Sequence, residues 1–357
     1  MSFPTDYGSL VRALHARAAA KRQPVNGTFE LTERCNLGCR MCYVRHSAGD
    51  VARRAQELSP AEWHELARQA KAGGTVFLLL TGGEVFVRPD FFGIYTPLTR
   101  MGFILTLFTN GTLITDEIAR RLAEAPPSRT EITLYGATAE DYEAITGVQG
   151  SYARCIQGIE NLIKHRVPLG LKSTLTRQNV GGLERMREMA HEWGLPFSAS
   201  WLLSSRRDGA PSDVLDCRLS PLECVELEAT DRASATDSLE AAQRESDLVN
   251  SENFYCQAGK AAFVVNSNGE MNPCIDLTQP AARPSEVGFD TAWKQVQAFV
   301  DTAPPLHTDC LTCEARGFCS RCPAWSEMET ETLNEPVPYL CEIAFARKER
   351  YQSIECG

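Results

Sequence analysis

The stretch ELTERCNLGCRMCYVRHSAG, residues 30–49, places Cys35, Cys39 and Cys42 within eight positions, directly after a short strand-like segment. Three thiolates so close together can bind one side of a metal centre from a single loop, and the polar neighbours of these cysteines disfavour a buried structural role. A closed zinc site needs four ligands, and His46 is the nearby histidine that could complete one. A [4Fe–4S] cluster normally takes four cysteines. We therefore favour a cluster whose fourth iron stays open for a ligand, with a Cys3His zinc site as the alternative.

The composition limits the class of protein. The chain has 357 residues, a net charge of −10 and 14 cysteines. The negative charge argues against a nucleic-acid partner, which needs a basic face. We find no apolar run long enough for a bilayer and no export signal, so we expect a cytoplasmic protein without a membrane partner. Because a reducing compartment disfavours disulfides, clustered cysteines there indicate metal binding or redox chemistry.

The first two hundred residues alternate between strand-like and helix-like segments. Helix starts are marked by Ser59 with Pro60 and Glu62, by Thr115, and by the pattern over 179–194. Strands separated by helices predict parallel βαβ units. Periodicity alone leaves a doubly wound sheet and a partial barrel open, and in both the functional edge is the carboxyl end of the strands. The six predicted strands are 27–32, 75–80, 103–108, 131–136, 169–176 and 197–203.

The composition changes after the sixth strand. Residues 208–250 are acidic and low in aromatics, which predicts a helical linker, and the βα pattern does not return. We therefore predict an N-terminal helical segment over 1–25, an α/β domain over 26–207, the linker, and a cysteine-rich domain over 251–357.

The CX3CX2C motif followed by Tyr43, after the first strand of a six-unit βα domain, resembles the radical S-adenosylmethionine (SAM) superfamily. The resemblance implies a partial (β/α)6 barrel whose three cysteines hold a [4Fe–4S] cluster. In that family the open iron binds the amino and carboxylate groups of SAM. Reduction then yields a 5′-deoxyadenosyl radical that abstracts hydrogen from a substrate.

Further segments match the family at the ends of later strands. LTGGE after the second strand resembles the GGE motif, although by itself it also fits a plain strand-end turn. FTNGT after the third strand resembles a ribose-contacting segment, and LKSTLTR in the fifth strand resembles another SAM-contacting segment. The SAM-binding residues implied by the resemblance, with Tyr43, are Gly82, Gly83, Glu84, Thr109, Asn110, Ser173 and Arg177.

The cysteines of the last third resemble the SPASM extension of radical SAM enzymes, which carries two auxiliary clusters. Two CX2C pairs also suit a zinc ribbon, but five residues between the pairs is too short for the usual spacing. The resemblance implies three [4Fe–4S] clusters in all. Its auxiliary cluster I takes Cys256, Cys274 and Cys322, and its auxiliary cluster II takes Cys310, Cys313, Cys319 and Cys341.

The resemblance makes a peptide the leading substrate, in the form of a ribosomally made precursor that undergoes oxidative crosslinking or side-chain modification. It implies a reductant such as flavodoxin or ferredoxin. Recognition of the peptide would fall to a separate leader-peptide-binding protein or to the barrel and tail themselves. A small-molecule dehydrogenase is an alternative, and so is a redox-neutral peptide or sugar epimerase. An epimerase needs a thiol hydrogen donor, for which Cys217 and Cys224 are candidates, although free cysteines are more often small core residues. An iron–sulfur electron carrier or zinc scaffold would leave the GGE motif unexplained.

Overall fold

The computed structural model describes residues 7–210, 214–230 and 253–355. All six predicted strands are present, pair in sequence order and run parallel. They form the greater part of one open sheet, which confirms the α/β partial-barrel class. These strands are β1 Asn26–Glu30, β4 Phe77–Thr81, β5 Ile104–Thr109, β6 Arg129–Thr133, β7 Leu169–Thr174 and β8 Phe197–Ser200. A separate two-stranded ladder pairs β2 Arg34–Cys35 with β3 His46–Ser47.

Local sequence signals set the helices between these strands. Ser59 and Glu62 form the predicted capping box at the helix that begins with Pro60. The Thr115 side chain accepts a hydrogen bond from the Ile118 N–H at the start of the next predicted helix. Each cap satisfies backbone groups that have no partner inside the helix. The helices of this part of the chain are Tyr7–Ala20, Val51–Gln56, Pro60–Ala72, Phe91–Thr99, Asp116–Glu124, Ala139–Thr146, Ser151–Lys164 and Leu183–Glu192.

Two further strands extend the sheet on its β1 side and were not predicted. β9 (Ala262–Val265) pairs parallel with β1, and β10 (Met271–Asn272) pairs antiparallel with β9. The chain forms two compact units, and their boundaries differ from the predicted domain boundaries. The first unit contains 1–200 together with 256–301, and the second contains 201–255 together with 302–357. The boundaries differ because β9 pairs with β1 and so belongs to the main sheet. A four-residue apolar run in the sequence does not by itself predict that pairing.

The second unit is mainly helical and has its own core. Trp325, Val337 and Leu340 pack together in it. Arg347 is 6% exposed and pairs with Glu228, which is 2% exposed. Its helices are Val214–Cys217, Pro221–Thr230, Thr308–Leu311, Pro323–Thr330 and Pro338–Glu355, while Pro284–Val287 and Phe289–Asp301 belong to the first unit. Of the predicted linker, 214–217 and 221–230 are helical, and 231–250 lies outside the described residues.

The main sheet has two unlike faces because side chains alternate along each strand. One face is buried by the rest of the unit, and we call it the closed face. Leu107, Ile132 and Leu171 on this face are fully buried. The opposite face is half-buried and more polar, and we call it the open face. The open face carries Thr106, Phe108, Glu131, Thr133, Lys172 and Thr174. In the part of the chain that the structure describes, no helix is long and apolar enough to span a membrane.

Candidate active site at the carboxyl ends of the strands

The three cysteines of the opening motif lie together just beyond the carboxyl end of β1. Cys39 is buried, and Cys35 and Cys42 are half-buried. The Leu37 N–H donates to Cys35 Sγ at 3.4 Å, and the Cys42 thiol donates to the Val44 carbonyl oxygen. These local bonds fix the positions of the Cys35 and Cys42 sulfur atoms in the loop that follows β1.

Burial and mutual repulsion make these thiols weak acids in the absence of a metal. Burial raises the pKa of Cys35 to about 12, and the nearby Glu84 and Cys42 add to this. Burial likewise raises the pKa of Cys39, and the charges of Cys42 and Cys35 raise it further, whereas a hydrogen bond with Tyr135 lowers it. The structure therefore brings the predicted cysteines within electrostatic reach of one another. A bound metal would have to stabilise the thiolates against this burial.

The paired glycines of the GGE motif permit a close approach to the chain that leads into Cys35. Gly82 has φ +146°, and a Cβ there would lie 2.2 Å from the Thr32 carbonyl oxygen. A Cβ on Gly83 would lie 2.5 Å from the Arg34 carbonyl oxygen. The Gly83 N–H donates to the Thr32 carbonyl at 2.7 Å. A side chain at either position would push the GGE turn away from the cysteine loop.

Glu84 connects the GGE turn to the end of β5. It is 1% exposed and accepts hydrogen bonds from the Thr109 hydroxyl at 2.8 Å, the Asn110 N–H at 2.7 Å and the Phe86 N–H at 3.1 Å. Burial raises the pKa of Glu84, and these three donors oppose that rise. Three predicted SAM-binding residues are thus joined by direct hydrogen bonds. Contact of Glu84 with the SAM amino group stays a prediction.

Asn110 brings the end of β5 to the cysteine loop. Its Nδ2 donates to Asn36 Oδ1 at 3.0 Å and lies 3.7 Å from Cys35 Sγ. Asn36 in turn donates to the Thr112 hydroxyl at 2.8 Å. Asn36 and Thr112 were not predicted as site residues. Their position inside two predicted motifs is the signal that could have found them.

A buried ion-pair network lies behind the loop and was missed by sequence reasoning. Arg34 donates to Glu57 through Nε at 2.8 Å and Nη2 at 3.0 Å. The Thr32 hydroxyl also donates to Glu57, and Arg88 Nη1 lies 3.7 Å from the same carboxylate. Arg88 donates to Asp90 as well. The network holds the residue before Cys35 against the segment after the GGE turn, and no motif links residues so far apart in sequence.

The other predicted SAM contacts are placed less centrally. The Tyr43 hydroxyl donates to Glu30 Oε1 at 3.2 Å. Ser173 is 1% exposed on the closed face, and its hydroxyl has no hydrogen-bond partner among the described residues. Arg177 is exposed to solvent. Lys172, which precedes Ser173 in the same strand, lies on the open face of the sheet. Roles for Tyr43, Ser173 and Arg177 in SAM binding remain predictions.

Four of the tail cysteines lie near one another within the second unit. Burial raises the pKa of Cys319 to about 12, and the nearby Cys341 and Cys310 raise it further. Burial also raises the pKa of Cys341, to which the Cys313 charge adds. These are the four residues predicted for auxiliary cluster II. Cys322 lines the same cavity as three of them, Cys310, Cys319 and Cys341.

The remaining predicted ligands are divided between the units. Cys256 is exposed, Cys274 is half-buried, and both belong to the first unit, whereas Cys322 belongs to the second. Across residues 7–210, 214–230 and 253–355, no three Cys, His, Asp or Glu side chains are grouped as ligands of a single metal ion. The ligand set of auxiliary cluster I therefore stays a prediction.

The two candidate hydrogen donors are core residues of the second unit. Cys217 is 0% exposed and Cys224 is 1% exposed. Cys224 Sγ lies 3.3 Å from the Tyr339 hydroxyl oxygen, and burial raises the pKa of the thiol. This burial is what we expect of small core side chains, and hydrogen donation by either residue remains a prediction.

The donor set at the sheet edge suits an iron–sulfur cluster. Soft thiolates are the ligands that such clusters take, and Cys35, Cys39 and Cys42 supply three of them. The Asn110 amide beside Cys35 Sγ and the Tyr135 hydroxyl bonded to Cys39 are donors that would stabilise ligated sulfur.

The chain is similar to known proteins of one kind. Residues 29–189 match the model of the Radical SAM superfamily. The AdoMet-dependent heme synthase of Methanosarcina barkeri is 27% identical over 332 residues, which cover 87% of this chain and 94% of that protein. The mycofactocin maturase MftC of Mycobacterium ulcerans is 28% identical over 313 residues, which cover 84% of this chain and 80% of that protein.

Solved structures show the same fold. Streptococcus suis SuiB bound to S-adenosylmethionine superposes with a TM-score of 0.68 at 17% identity, covering 96% of this chain and 82% of SuiB. Native anSMEcpe with bound AdoMet gives a TM-score of 0.67 at 14% identity, covering 93% of this chain and 98% of that one. The superfamily implies one [4Fe–4S] cluster and SAM as cofactors. Residues 29–189, a little under half of the chain, therefore form a domain that is similar to those of the Radical SAM superfamily.

Proposed function

We propose that this protein is a radical SAM oxidoreductase that cleaves SAM and abstracts hydrogen from a ribosomally made peptide, which then undergoes oxidative crosslinking or side-chain modification. The observation that carries the proposal is the grouping of Cys35, Cys39 and Cys42 with the GGE turn at the carboxyl edge of a radical SAM domain. A peptide substrate is supported by the relative named as a maturase and by the SuiB structure that contains its precursor peptide SuiA.

Within this proposal the protein positions the reactants. Cys35, Cys39 and Cys42 would hold a [4Fe–4S] cluster, which would supply the electron for reductive cleavage of SAM. The GGE turn and the end of β5 are fixed to each other through Glu84 and would bind SAM beside that cluster. The open face of the sheet continues from this edge and receives the substrate.

The second unit supports an oxidative outcome. The four neighbouring cysteines there suit a further [4Fe–4S] cluster, and Cys256, Cys274 and Cys322 complete the proposed total of three. Thiolate-bound clusters accept single electrons, so they would take the second electron that leaves the substrate. A flavodoxin or ferredoxin would reduce the cluster at Cys35, Cys39 and Cys42.

A small-molecule substrate is the second candidate. The observation that favours it is the relative named AdoMet-dependent heme synthase, which this chain matches over 94% of that protein's length. A redox-neutral epimerase receives no comparable support, because both candidate donor thiols are buried in the second unit.

The test uses anaerobically reconstituted protein, dithionite, SAM and a candidate precursor peptide, in deuterated water. We expect 5′-deoxyadenosine, together with loss of two hydrogens from the peptide by mass spectrometry. Cys39→Ala should abolish both the 5′-deoxyadenosine and the mass loss. Cys155→Ala should retain both, because Cys155 is a buried core residue on the Ser151–Lys164 helix. A gain of one deuterium would indicate epimerisation instead. Absence of 5′-deoxyadenosine from protein with its full iron content would contradict the proposal.

A further inference from the structure

Lys172 is placed on the open face close to the cysteine loop. It is paired in register with Thr133 of the neighbouring strand, and Tyr135 follows two residues later. Two residues of strand span about 6.6 Å, and Tyr135 hydrogen-bonds to Cys39. The Lys172 side chain therefore starts about two residues before Tyr135 in the direction of the strands, on the open face.

The Lys172 ammonium is partly buried and has a single carboxylate neighbour, Glu131, among the described residues. Its side chain is 25% exposed, and Nζ lies 3.0 Å from the centroid of the Phe108 ring. Glu131 Oε2 is 3.7 Å away, which is longer than a hydrogen bond. The ammonium has three N–H donors, and the Glu131 carboxylate is its one ion-pair partner among the described residues. The aromatic face contributes a weaker cation–π attraction.

The neighbouring charges leave an excess of positive charge. Glu131 is shared, because its Oε1 pairs with Arg129 Nε at 2.8 Å. Two cations thus face one carboxylate. A Cβ on Gly170, the register partner of Glu131, would lie 3.0 Å from an Arg129 guanidinium nitrogen, so the absence of a side chain there leaves room for Arg129. This arrangement suits an anion more than a neutral or cationic group.

We propose that Lys172 binds a carboxylate of the substrate on the open face of the sheet. The proposal rests on the proposed function, because it takes the substrate to occupy that face. A charge-assisted hydrogen bond to a carboxylate would satisfy the partly buried ammonium. In a peptide the carboxylate would belong to an Asp or Glu side chain or to the chain terminus.

The pKa of Lys172 provides a way to measure carboxylate binding. Burial lowers the pKa of Lys172 to about 8, an effect that Glu131 opposes and Arg129 reinforces. A bound carboxylate would raise that pKa again. A rise of one unit would reduce the fraction of neutral, reactive amine at pH 7 about tenfold.

The experiment measures trace acetylation of lysines in the reconstituted enzyme at pH 7, with tryptic mass spectrometry resolving each of the seven lysines. The probes are N-acetylalanine for a chain-terminal carboxylate and the α-amide of N-acetylaspartate for a side-chain carboxylate. The neutral control probe is N-acetylalaninamide. Lys71 is the internal control, because its Nζ lies 5.3 Å from the Phe103 ring centroid but donates to the Gly102 carbonyl.

We expect a carboxylate probe to reduce Lys172 labelling about tenfold while Lys71 and the amide control show no change. The probe that acts at the lower concentration identifies the source of the carboxylate. Equal labelling with all three probes would overturn the proposal, and so would protection by SAM alone, which carries its own carboxylate. The readout does not require turnover, so a failure of the proposed reaction would be seen separately in the 5′-deoxyadenosine assay.

Discussion

Replacing Glu57 by Gln should destabilise the first unit strongly, because this carboxylate faces two buried guanidinium groups. The side chains of Arg34 and Arg88 are 4% and 3% exposed, and that of Glu57 is 5% exposed. A glutamine keeps one acceptor oxygen but turns an NH2 group toward donors. Arg34 would lose its only carboxylate partner among the described residues, and Arg88 would keep Asp90.

Removing one partner of a buried ion pair typically costs about 3–5 kcal/mol. At about 2–4 °C per kcal/mol for a unit of 150–250 residues, this corresponds to a fall of roughly 6–20 °C in the unfolding midpoint. Because Arg34 directly precedes Cys35, we also expect lower iron occupancy after reconstitution. Glu57→Asp keeps the charge but shortens the side chain, so its unfolding midpoint should lie between those of the wild type and Glu57→Gln.

The assay is thermal unfolding followed by circular dichroism under anaerobic conditions, with iron analysis of the same samples. Glu65→Gln is the matched control, because Glu65 forms an exposed pair with Arg68 and its loss should leave the midpoint unchanged. A midpoint for Glu57→Gln equal to that of Glu65→Gln would refute the reasoning that this network holds the cysteine loop in place.

Three further predictions concern single side chains. Gly82→Ala should weaken SAM binding, measured by calorimetry, and lower the stability of the fold, because a Cβ at Gly82 would collide with the Thr32 carbonyl oxygen. Gly181→Ala is the control and should leave both unchanged, because nothing lies within 4 Å of a Cβ at that position. Normal SAM affinity in Gly82→Ala would contradict this prediction. Ser173→Ala removes a buried hydroxyl that has no partner among the described residues, so we expect urea denaturation to show equal or higher stability by about 1 kcal/mol, and a clear loss would show an unrecognised bond. Lys172→Met should be more stable than wild type at pH 7. The folded-state pKa of Lys172 is lowered from 10.5 to about 8, so the wild type gains stability as pH rises from 8 to 10.5, and the difference should disappear above that range. A difference independent of pH would contradict this last expectation.

The residues that could be predicted from sequence are those whose chemistry lies within a short stretch. Cys35, Cys39 and Cys42 share one loop, and Gly82, Gly83 and Glu84 share one turn, so each motif could be recognised locally, and the resemblance to a known family then implied a role for it. The six parallel strands followed from hydrophobic runs and helix caps. The paired glycines also bring the GGE turn against the backbone before Cys35, a contact that the sequence did not predict.

The tertiary structure decided the contacts that join distant segments. The pairing of β9 with β1, the Glu57 ion pairs and the Lys172 site with Glu131 and Phe108 all depend on register between elements far apart in the chain. A charged residue in a strand reads the same in sequence whether it faces solvent or a partner on the next strand. Covalent spacing therefore determined the cysteine loop and the GGE turn, whereas burial and strand register, which arise only on folding, determined what surrounds them.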